Sequence, residues 1–543
     1  MRPVEQTYNI KGNILADGKQ YPVSVPYGMT ALEAVRFADI PIYSPCGGNG
    51  TCGKCRAKIT GNISVMDERE KNFLSEEERE KGIRLACMCR LYGDFEIDIQ
   101  YGNLRVQTDF KGISYTFSPL VKDKGENLLG LAADIGTTTV ALYLSDLQNG
   151  KILATRGFRN PQSAYGADVI SRIDKIMKDK NALVMQQKLI ADAIREAASD
   201  MCVSVGRSEM DIVSAVFCGN TVMQHMAAGL DPSTIANAPF IAPTLFGEEY
   251  DAYQLGFLKN KDAFVYFAPC FASYVGGDIA CGMIASGLDA CRERVLYIDV
   301  GTNGEIGLAT EKGLYFCSAA AGPAFEGAHI ACGMAGITGA VSEVFIENGK
   351  IGYRTVDDAD AVGICGSGII DAIAVMLDTG LVDETGCIAE KEDAGEYASY
   401  IDEDDDGNPV FMLDKEKNIY ICGRDIREIQ LAKAAICAGV DTLLHEADVS
   451  YESLSDVVIA GGFGSHLRAE SICRIGMIPP IDTKKISFVG NAAGAGALSI
   501  LLGAEPRESA KTICARSEYT ELSKNAYFME KYIEEMMFTE GES

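Results

Sequence analysis

An internal repeat restricts the possible folds of this 543-residue chain more than any other feature of its sequence. The segments "GLAADIGTTTVALYLSD" (130–146) and "VLYIDVGTNGEIGLATE" (295–311) share an apolar strand, an Asp, an aliphatic residue, Gly-Thr and a second strand. Self-similarity on this scale indicates two related structural units. Each unit alternates strand and helix patterns, as α/β architectures do. We therefore predict two facing subdomains, one covering 128–285 and the other 286–543.

The repeated Gly-Thr turns predict a nucleotide site. Such a turn offers backbone N–H groups and hydroxyls to phosphate oxygens, and an Asp at the strand end can hold Mg²⁺ through water. One Asp-x-Gly-Thr hairpin is weak evidence, but two that face each other across a cleft would bind the phosphates from both sides. The glycine turn in "DVVIAGGFGSHL" (456–467) precedes a helix start and would approach the nucleoside. Tight helix–strand packing is the alternative use of these glycines.

The predicted site residues follow from these segments. Asp134 and Asp299 would organise Mg²⁺. The residues predicted to bind the rest of ATP are Gly136, Thr137, Thr138, Gly301, Thr302, Asn303, Gly461 and Gly462. The pattern does not identify the residue that positions the attacking water. Asp278 and Glu326 are its candidates, and each is equally compatible with a structural cap or a surface charge.

Four cysteines near the start of the chain predict a second site. Their spacing is Cys46-x5-Cys52-x2-Cys55, and Cys87 follows after a long gap. Thiolates bind zinc and iron–sulfur clusters alike, so the residue type leaves both open. Three close ligands and a distant one, on a glycine-rich loop, favour a [2Fe–2S] cluster over paired zinc knuckles. Cys89 competes with Cys87 for the fourth position.

The region around these cysteines reads as a small separate domain. Residues 7–14 and 20–25 alternate like two paired strands, and 30–38 has a helical apolar spacing. Further strand patterns extend this mixed sheet to residue 100, which gives a domain over 1–100. The polar stretch 101–127 lacks a sustained period and is predicted to connect the domains.

Composition restricts the partners. A net charge of −28 and a pI near 4.6 argue against broad contact with nucleic acid or anionic lipid. No segment has the length and polarity expected of a membrane span. We see no apolar signal region at the start, and eighteen cysteines without one favour a reducing compartment, so a cytoplasmic location is expected.

Both parts of the chain resemble known families. The first hundred residues are similar to [2Fe–2S] ferredoxins of β-grasp fold, with the x5 spacing of the adrenodoxin type. In that comparison the "RLAC" context is similar to the strand that carries the fourth ligand, which favours Cys87 over Cys89. Residues 128–530 resemble the ATPases of the actin, sugar-kinase and Hsp70 superfamily, which implies a duplicated ribonuclease H-like fold.

Four motifs narrow the resemblance to the reductive activators of corrinoid-dependent enzymes. They are "NPQSAYGADVISRI" (160–173), "FCGNTVMQHMAAGLDP" (217–232), "AGPAFEGAHI" (321–330) and "ICGSGIIDAI" (364–373). The resemblance implies ATP-dependent one-electron reduction of a cob(II)alamin-type cofactor to cobalt(I). Its implied partners are the corrinoid protein of a methyltransferase system or a corrinoid iron–sulfur protein, and an external low-potential electron donor. The expected assembly of this chain is a homodimer.

Coupling an ATPase to a cluster has an energetic reason. Plant-type clusters have reduction potentials of about −400 mV. If the cobalt(II) acceptor has a potential lower by roughly 0.1–0.2 V, the transfer of one electron costs about 2–5 kcal/mol. Three alternatives stay open: an ATP-driven donor to another low-potential enzyme, similar to 2-hydroxyacyl-CoA dehydratase activators; a small-molecule kinase whose cluster senses redox state; and a nucleotide-regulated scaffold without turnover.

Overall fold

The computed structural model describes most of the chain. Three predicted site residues, Cys46, Cys52 and Thr302, lie outside the described ranges, so their roles stay predictions. In the part described, no helix combines the length and apolarity needed to cross a membrane. The described residues are 9–16, 19–38, 40, 42, 44, 48, 50, 53–99, 106–111, 117, 128–166, 168–291, 293–301, 303–404, 406–462, 467–479 and 481–539.

The first unit is a mixed five-stranded sheet with three short helices among its described residues. Its elements are β1 (Asn9–Ala16), β2 (Lys19–Pro26), α1 (Ala31–Phe37), β3 (Arg56–Ile63), α2 (Glu68–Lys71), α3 (Glu76–Glu80), β4 (Ile83–Leu85) and β5 (Leu91–Ile99). The strand order is β2-β1-β5-β3-β4, with β1 and β5 parallel at the centre. Thr30 and Glu33 form a capping box that begins α1. This arrangement is the predicted β-grasp domain.

The second unit is built on a mixed sheet with the order β10-β11-β9-β6-β7-β8. Its elements are β6 (Leu129–Ile135), β7 (Thr139–Asp146), β8 (Ile152–Arg159), α4 (Val169–Lys178), α5 (Asn181–Ser204), β9 (Ile212–Cys218), α6 (Thr221–Ala228), β10 (Glu248–Asp251), β11 (Phe264–Phe267) and α7 (Gly277–Ala285). Strands β6 to β8 form an antiparallel meander, and β9 and β11 continue the sheet in parallel with β6.

The third unit repeats this plan. Its sheet has the order β22-β21-β12-β13-β14-β23, with β12 to β14 as the meander and β21 and β22 parallel to β12. The elements are β12 (Val295–Val300), β13 (Gly304–Ala309), β14 (Leu314–Ala319), β15 (Ala340–Glu347), β16 (Lys350–Thr355), β17 (Gly363–Ile364), α8 (Gly366–Asp378), β18 (Ile401–Glu403), β19 (Pro409–Asp414), β20 (Ile419–Cys422), α9 (Gly423–Ala447), β21 (Asp456–Ala460), α10 (Ala469–Arg474), β22 (Ile486–Gly490), α11 (Ala492–Leu502), α12 (Ala504–Arg516), β23 (Glu518–Tyr519) and α13 (Ala526–Glu534).

Two equivalent helices, α7 and α11, join the repeated units. Each follows the last parallel strand of its sheet, and the two helices share an apolar core with both sheets. Gly496 is required for their close approach, because a Cβ there would overlap the carbonyl oxygen of Cys281. A Cβ at Gly282 would similarly overlap the hydroxyl of Tyr297. This packing sets the two meanders on either side of a common cleft.

The predicted connector is not a detached linker where it is described. Val106, Phe110 and Phe117 pack against the core shared by the two sheets. Phe110 also forms an antiparallel bridge with Gly490 at the end of β22. These contacts hold the segment close to the cleft, while the boundaries 101–127 themselves stay a prediction.

Candidate nucleotide cleft and cluster loop

The two predicted Mg²⁺ residues occupy equivalent places in the two sheets. Asp134 is the penultimate residue of β6, and Asp299 is the penultimate residue of β12. Asn491 donates from Nδ2 to Oδ2 of Asp134 over 3.0 Å. The turn after β21 approaches the other carboxylate, since a Cβ at Gly461 would lie 2.7 Å from Oδ1 of Asp299. The fold therefore brings both aspartates and the glycine turn to one cleft.

Burial and neighbouring charge raise the pKa of the carboxyl groups in this cleft. Burial raises the pKa of Asp134 to about 6, against the opposing effect of the Asn491 hydrogen bond. Burial and the charge of Asp134 raise the pKa of Asp299 to about 7. Asp278, in the first turn of α7, reaches about 8 because burial adds to repulsion from both aspartates. Glu305 on β13 also has a raised pKa from burial and from these neighbours. A nearby cation would stabilise the ionised form of these carboxyl groups.

Side chains from three other segments hold the first Gly-Thr hairpin. The carbonyl of Thr137 accepts a 2.6 Å hydrogen bond from Nη2 of the buried Arg172. The Thr137 hydroxyl accepts from Nδ2 of Asn220 over 3.0 Å. Thr138 donates its hydroxyl to Oε2 of Glu326 at 3.4 Å, which links this hairpin to the third unit. The hairpin is therefore held in position before any ligand contacts it.

The second hairpin and the glycine turn are tight backbone turns. The Gly301 N–H donates to the Asn303 carbonyl over 3.0 Å, and Thr302 between them is outside the described residues. Gly461 has φ +97°, a left-handed conformation that favours glycine. A Cβ at Gly462 would lie 3.6 Å from Cβ of Gln107, which is part of the connector.

Sequence reasoning missed two asparagines that contact the cleft. Asn220 and Asn491 each cap a helix, α6 and α11, by accepting from the backbone N–H three residues on. Each also contacts the predicted site, at Thr137 and Asp134. A signal was present, because "FCGN" (217–220) and "FVGN" (488–491) repeat the same strand-to-helix turn.

The cluster loop is described in part. Cys55 is 1% exposed, and the backbone N–H of Cys87 points at its sulfur over 3.5 Å. Gly48 has φ +99°, and a Cβ there would lie 3.9 Å from Cβ of Cys87, so the loop returns close to the distant cysteine. Cys89 is 0% exposed within the apolar core of the domain. A buried sulfur that faces a backbone N–H fits a thiolate-bound cluster, and Cys87 is the better placed fourth ligand.

Two of the four predicted cluster ligands, Cys55 and Cys87, are among the described residues. Across the described part of the chain, no group of three or more His, Cys, Asp or Glu side chains is placed to bind a metal ion. Two of the four predicted cysteine ligands, Cys46 and Cys52, lie outside the described ranges. The ligand set therefore stays a prediction that Cys55 and Cys87 support.

Three families match successive parts of the chain. Residues 14–92 match the family described as "2Fe-2S iron-sulfur cluster binding domain", residues 129–291 match "RACo middle region", and residues 293–543 match "C-terminal domain of RACo the ASKHA domain". The fold and site therefore define a [2Fe–2S] ferredoxin-like domain followed by a duplicated actin/Hsp70-like domain. The fold class inferred from the sequence is confirmed.

Similar proteins of known name identify the family to which the chain belongs. The chain is 33% identical over 424 residues to the corrinoid activation enzyme RamQ of Eubacterium limosum, covering 77% of this chain and 71% of that protein. It is 26% identical over 418 residues to the "[Co(II) methylated amine-specific corrinoid protein] reductase" of Methanosarcina barkeri, covering 69% and 70%. A solved "Reductive activator for corrinoid,iron-sulfur protein" matches with a TM-score of 0.68 and 31% identity, covering 97% of this chain and 98% of that chain. The chain belongs to the RACo family of reductive activators of corrinoid proteins, as its motifs predicted.

Proposed function

We propose that this protein uses ATP to reduce the cobalt(II) of an inactivated corrinoid protein to cobalt(I), one electron at a time. One observation carries the proposal: a single chain joins a cysteine-bearing ferredoxin loop to a cleft with paired aspartates, Asp134 and Asp299. The printed names of the relatives, a corrinoid activation enzyme and a cobalt(II) corrinoid protein reductase, support the same chemistry.

In the proposed reaction the cleft holds Mg²⁺ and ATP. Mg²⁺ bound by Asp134 and Asp299 would supply positive charge at the phosphates. Binding a cation would also stabilise the ionised form of both carboxyl groups, whose pKa values burial raises. The hydroxyls of Thr137 and Thr138, and the backbone at Gly301 and Asn303, are the phosphate contacts on the two sides of the cleft.

Asp278 is the better placed of the two candidates for orienting the attacking water. Burial, and then the charges of Asp299 and Asp134, raise its pKa to about 8, so its carboxylate lies within their electrostatic reach. A base whose pKa lies close to neutral pH suits proton transfer from water. Glu326, in contrast, accepts the hydroxyl hydrogen bond of Thr138 and is engaged at the hairpin.

The ferredoxin domain is the proposed electron port. A [2Fe–2S] cluster held by Cys46, Cys52, Cys55 and Cys87 would accept and release single electrons. The chain contributes a buried position for Cys55 and a backbone N–H aimed at its sulfur. Hydrogen bonds to sulfur and exclusion of water both adjust a cluster's potential. The electron would come from an external low-potential donor and pass to the corrinoid protein.

The ATPase domain would make an uphill transfer possible through binding. A nucleotide shifts an equilibrium only if the protein's affinity for its partner differs between nucleotide states. The two meanders lie on either side of the cleft, so a ligand that contacts both hairpins favours their closure. We propose that closure on the corrinoid protein changes the cobalt coordination and makes reduction favourable.

The test follows cobalt directly. The holoprotein, a low-potential reductant and a corrinoid protein of a methyltransferase system are mixed, and the cobalt(II) absorption band is recorded with and without Mg-ATP. Loss of the band only with ATP supports the proposal, and Asp299→Asn should abolish that loss while the iron content stays at the wild-type level. Equal reduction without nucleotide would refute it.

A further inference from the structure

One segment connects the nucleotide cleft with the cluster loop. This coupling segment, residues 323–334, begins with the 3₁₀ turn Pro323–Glu326 directly after a Gly322 with φ +75°. Oε2 of Glu326 accepts the 3.4 Å hydrogen bond from the hydroxyl of Thr138. One end of the segment therefore lies against the hairpin that is predicted to bind phosphate.

The other end of the coupling segment lies against the cluster loop. Nζ of Lys54 donates to the carbonyl of Gly333 over 2.8 Å and to that of Ile330 over 3.4 Å. Lys54 stands directly before the predicted ligand Cys55 and two residues after Cys52. Its ammonium is thus fixed by main-chain atoms nearly three hundred residues away in sequence. A shift of those carbonyls would act on the loop that holds the cluster.

The segment between these ends is compact. It folds back on itself so closely that a Cβ at Gly333 would overlap the carbonyl of Gly327. The Ala331 N–H donates to Oδ1 of Asp425 over 2.8 Å, which anchors the segment to the first turn of α9. The Met334 N–H donates to the Ile364 carbonyl over 2.9 Å. A tightly packed piece of chain moves as a unit, so a displacement at Glu326 reaches the carbonyls that bind Lys54.

We propose that Lys54 is a positioning residue that makes the cluster loop respond to the nucleotide, through the coupling segment. Phosphate bound at the first hairpin competes for the hydroxyl of Thr138 and frees or shifts Glu326. The coupling segment then moves relative to the ferredoxin domain and changes the hold of its carbonyls on Lys54. The inference rests on the proposed function, and it names the contacts that carry nucleotide state to the electron port.

The experiment measures a property of the cluster itself. The reduction midpoint and the electron paramagnetic resonance spectrum of the reduced cluster are recorded for the full-length holoprotein, with and without a non-hydrolysable Mg-ATP analogue. We expect the analogue to change both in the wild type. Lys54→Met should remove that change, and Lys54→Arg should restore most of it because the guanidinium can reach the same carbonyls. Lys58→Met, an exposed lysine on β3 of the same domain, is the matched control and should respond like the wild type.

A second variant protects the test against a folding defect. If Lys54→Met fails to retain iron, Glu326→Gln is measured instead, because it alters the far end of the coupling segment and leaves the cluster loop intact. It should lose the analogue-dependent change at full iron content. Amide hydrogen exchange over 327–334 should also change with the analogue by about fivefold or more in the wild type, and Lys54→Met should reduce that change.

Three outcomes separate this inference from the proposed function. If cobalt reduction needs ATP but Lys54→Met and Glu326→Gln keep the wild-type response of the cluster to the analogue, the inference is wrong and the function stands. A wild-type cluster that ignores the analogue also overturns the inference. If the wild type reduces cobalt equally well without ATP, the proposed function fails, whatever the cluster does.

Discussion

At the scale of single residues, the carboxyl groups proposed to act in the cleft also lower the stability of the folded protein. Burial raises the pKa of Asp134, Asp278 and Asp299, and the charge of Asp134 adds to the increase at the other two. Hydrogen bonds from Asn491 to Asp134 and from the Ile279 N–H to Asp278 offset part of this increase. Buried carboxyl groups of this kind lower the stability of the folded protein, which is a frequent feature of active sites.

The first prediction concerns Asp278. A carboxyl group whose pKa is raised from its ordinary range to about 8 binds a proton more tightly in the folded state. Its contribution to stability is therefore present at low pH and is lost as pH rises from about 4 to about 8. Asp278→Asn should raise the free energy of unfolding at pH 8 by about 1–2 kcal/mol in the absence of Mg²⁺ and nucleotide, and it should flatten the pH dependence. Denaturant titrations between pH 5 and 8 measure this.

The control for Asp278 is Asp262→Asn, which alters an exposed aspartate outside the cleft. It should leave both the stability and its pH dependence unchanged. ATP hydrolysis should fall at least about 100-fold in Asp278→Asn, the usual range for losing a general base. A variant that is no more stable at pH 8 would show that the cleft does not strain this carboxyl group.

The second prediction separates two neighbouring cysteines. Cys87 is partly exposed beside the sulfur of Cys55, whereas Cys89 is fully buried in the domain's core. Cys87→Ala should lose most of the iron per chain, and Cys89→Ala should keep it but lower stability by about 1 kcal/mol through a small cavity. Iron and sulfide analysis with visible absorption decides the question. If Cys89→Ala lost its iron and Cys87→Ala kept it, Cys89 would be the cluster ligand and Cys87 would not.

Sequence patterns identified the site residues that lie within short motifs. Asp134 and Asp299 stand inside short repeated motifs, so the pattern and the geometry coincide. Asn491 and Glu326 come from distant segments, and only the folded chain brings them to the first hairpin. Their contacts depend on how the two sheets pack, which no local motif encodes.

At the scale of elements, helices α7 and α11 determine how the two sheets meet. Their contact uses small residues, and Gly496 and Cys281 lie at its tightest point. The predicted duplication therefore depends on an interface that the strand motifs did not reveal. The insertion of β15 to β20 between the meander and α9 was also not predicted, because its short strands carry weak patterns of their own.

The third prediction tests this helix pair. Gly496→Ala places a methyl group against the carbonyl of Cys281, so the helices must separate. We expect a loss of about 1–3 kcal/mol in the free energy of unfolding, as for other overpacked cores. Gly423→Ala is the control, since Gly423 is the first residue of helix α9 and a Cβ there would have no neighbouring atom within 4 Å. Equal stability of the two variants, measured by denaturant unfolding, would contradict the packing.

At the scale of the whole molecule, the apolar cores divide the chain in two. The core of the ferredoxin-like domain draws its buried residues from within 14–99, and the other described cores draw theirs from 129 onward. Described contacts between the two parts include hydrogen bonds from Lys54 to Gly333 and Ile330 and an ion pair at 3.9 Å between Lys19 and Glu196. Polar contacts of this kind position domains but add little to their stability.

The fourth prediction follows from these separate cores. Thermal unfolding of the holoprotein should show two transitions, because domains without a shared apolar core unfold independently. A Mg-ATP analogue should raise the transition temperature of the ATPase domain alone. At a free concentration about 100 times the Kd, the added stability is about 2.7 kcal/mol. Removing iron with a chelator should lower only the other transition. Differential scanning calorimetry measures both, and a single transition that shifts as one under either treatment would show that the domains fold together.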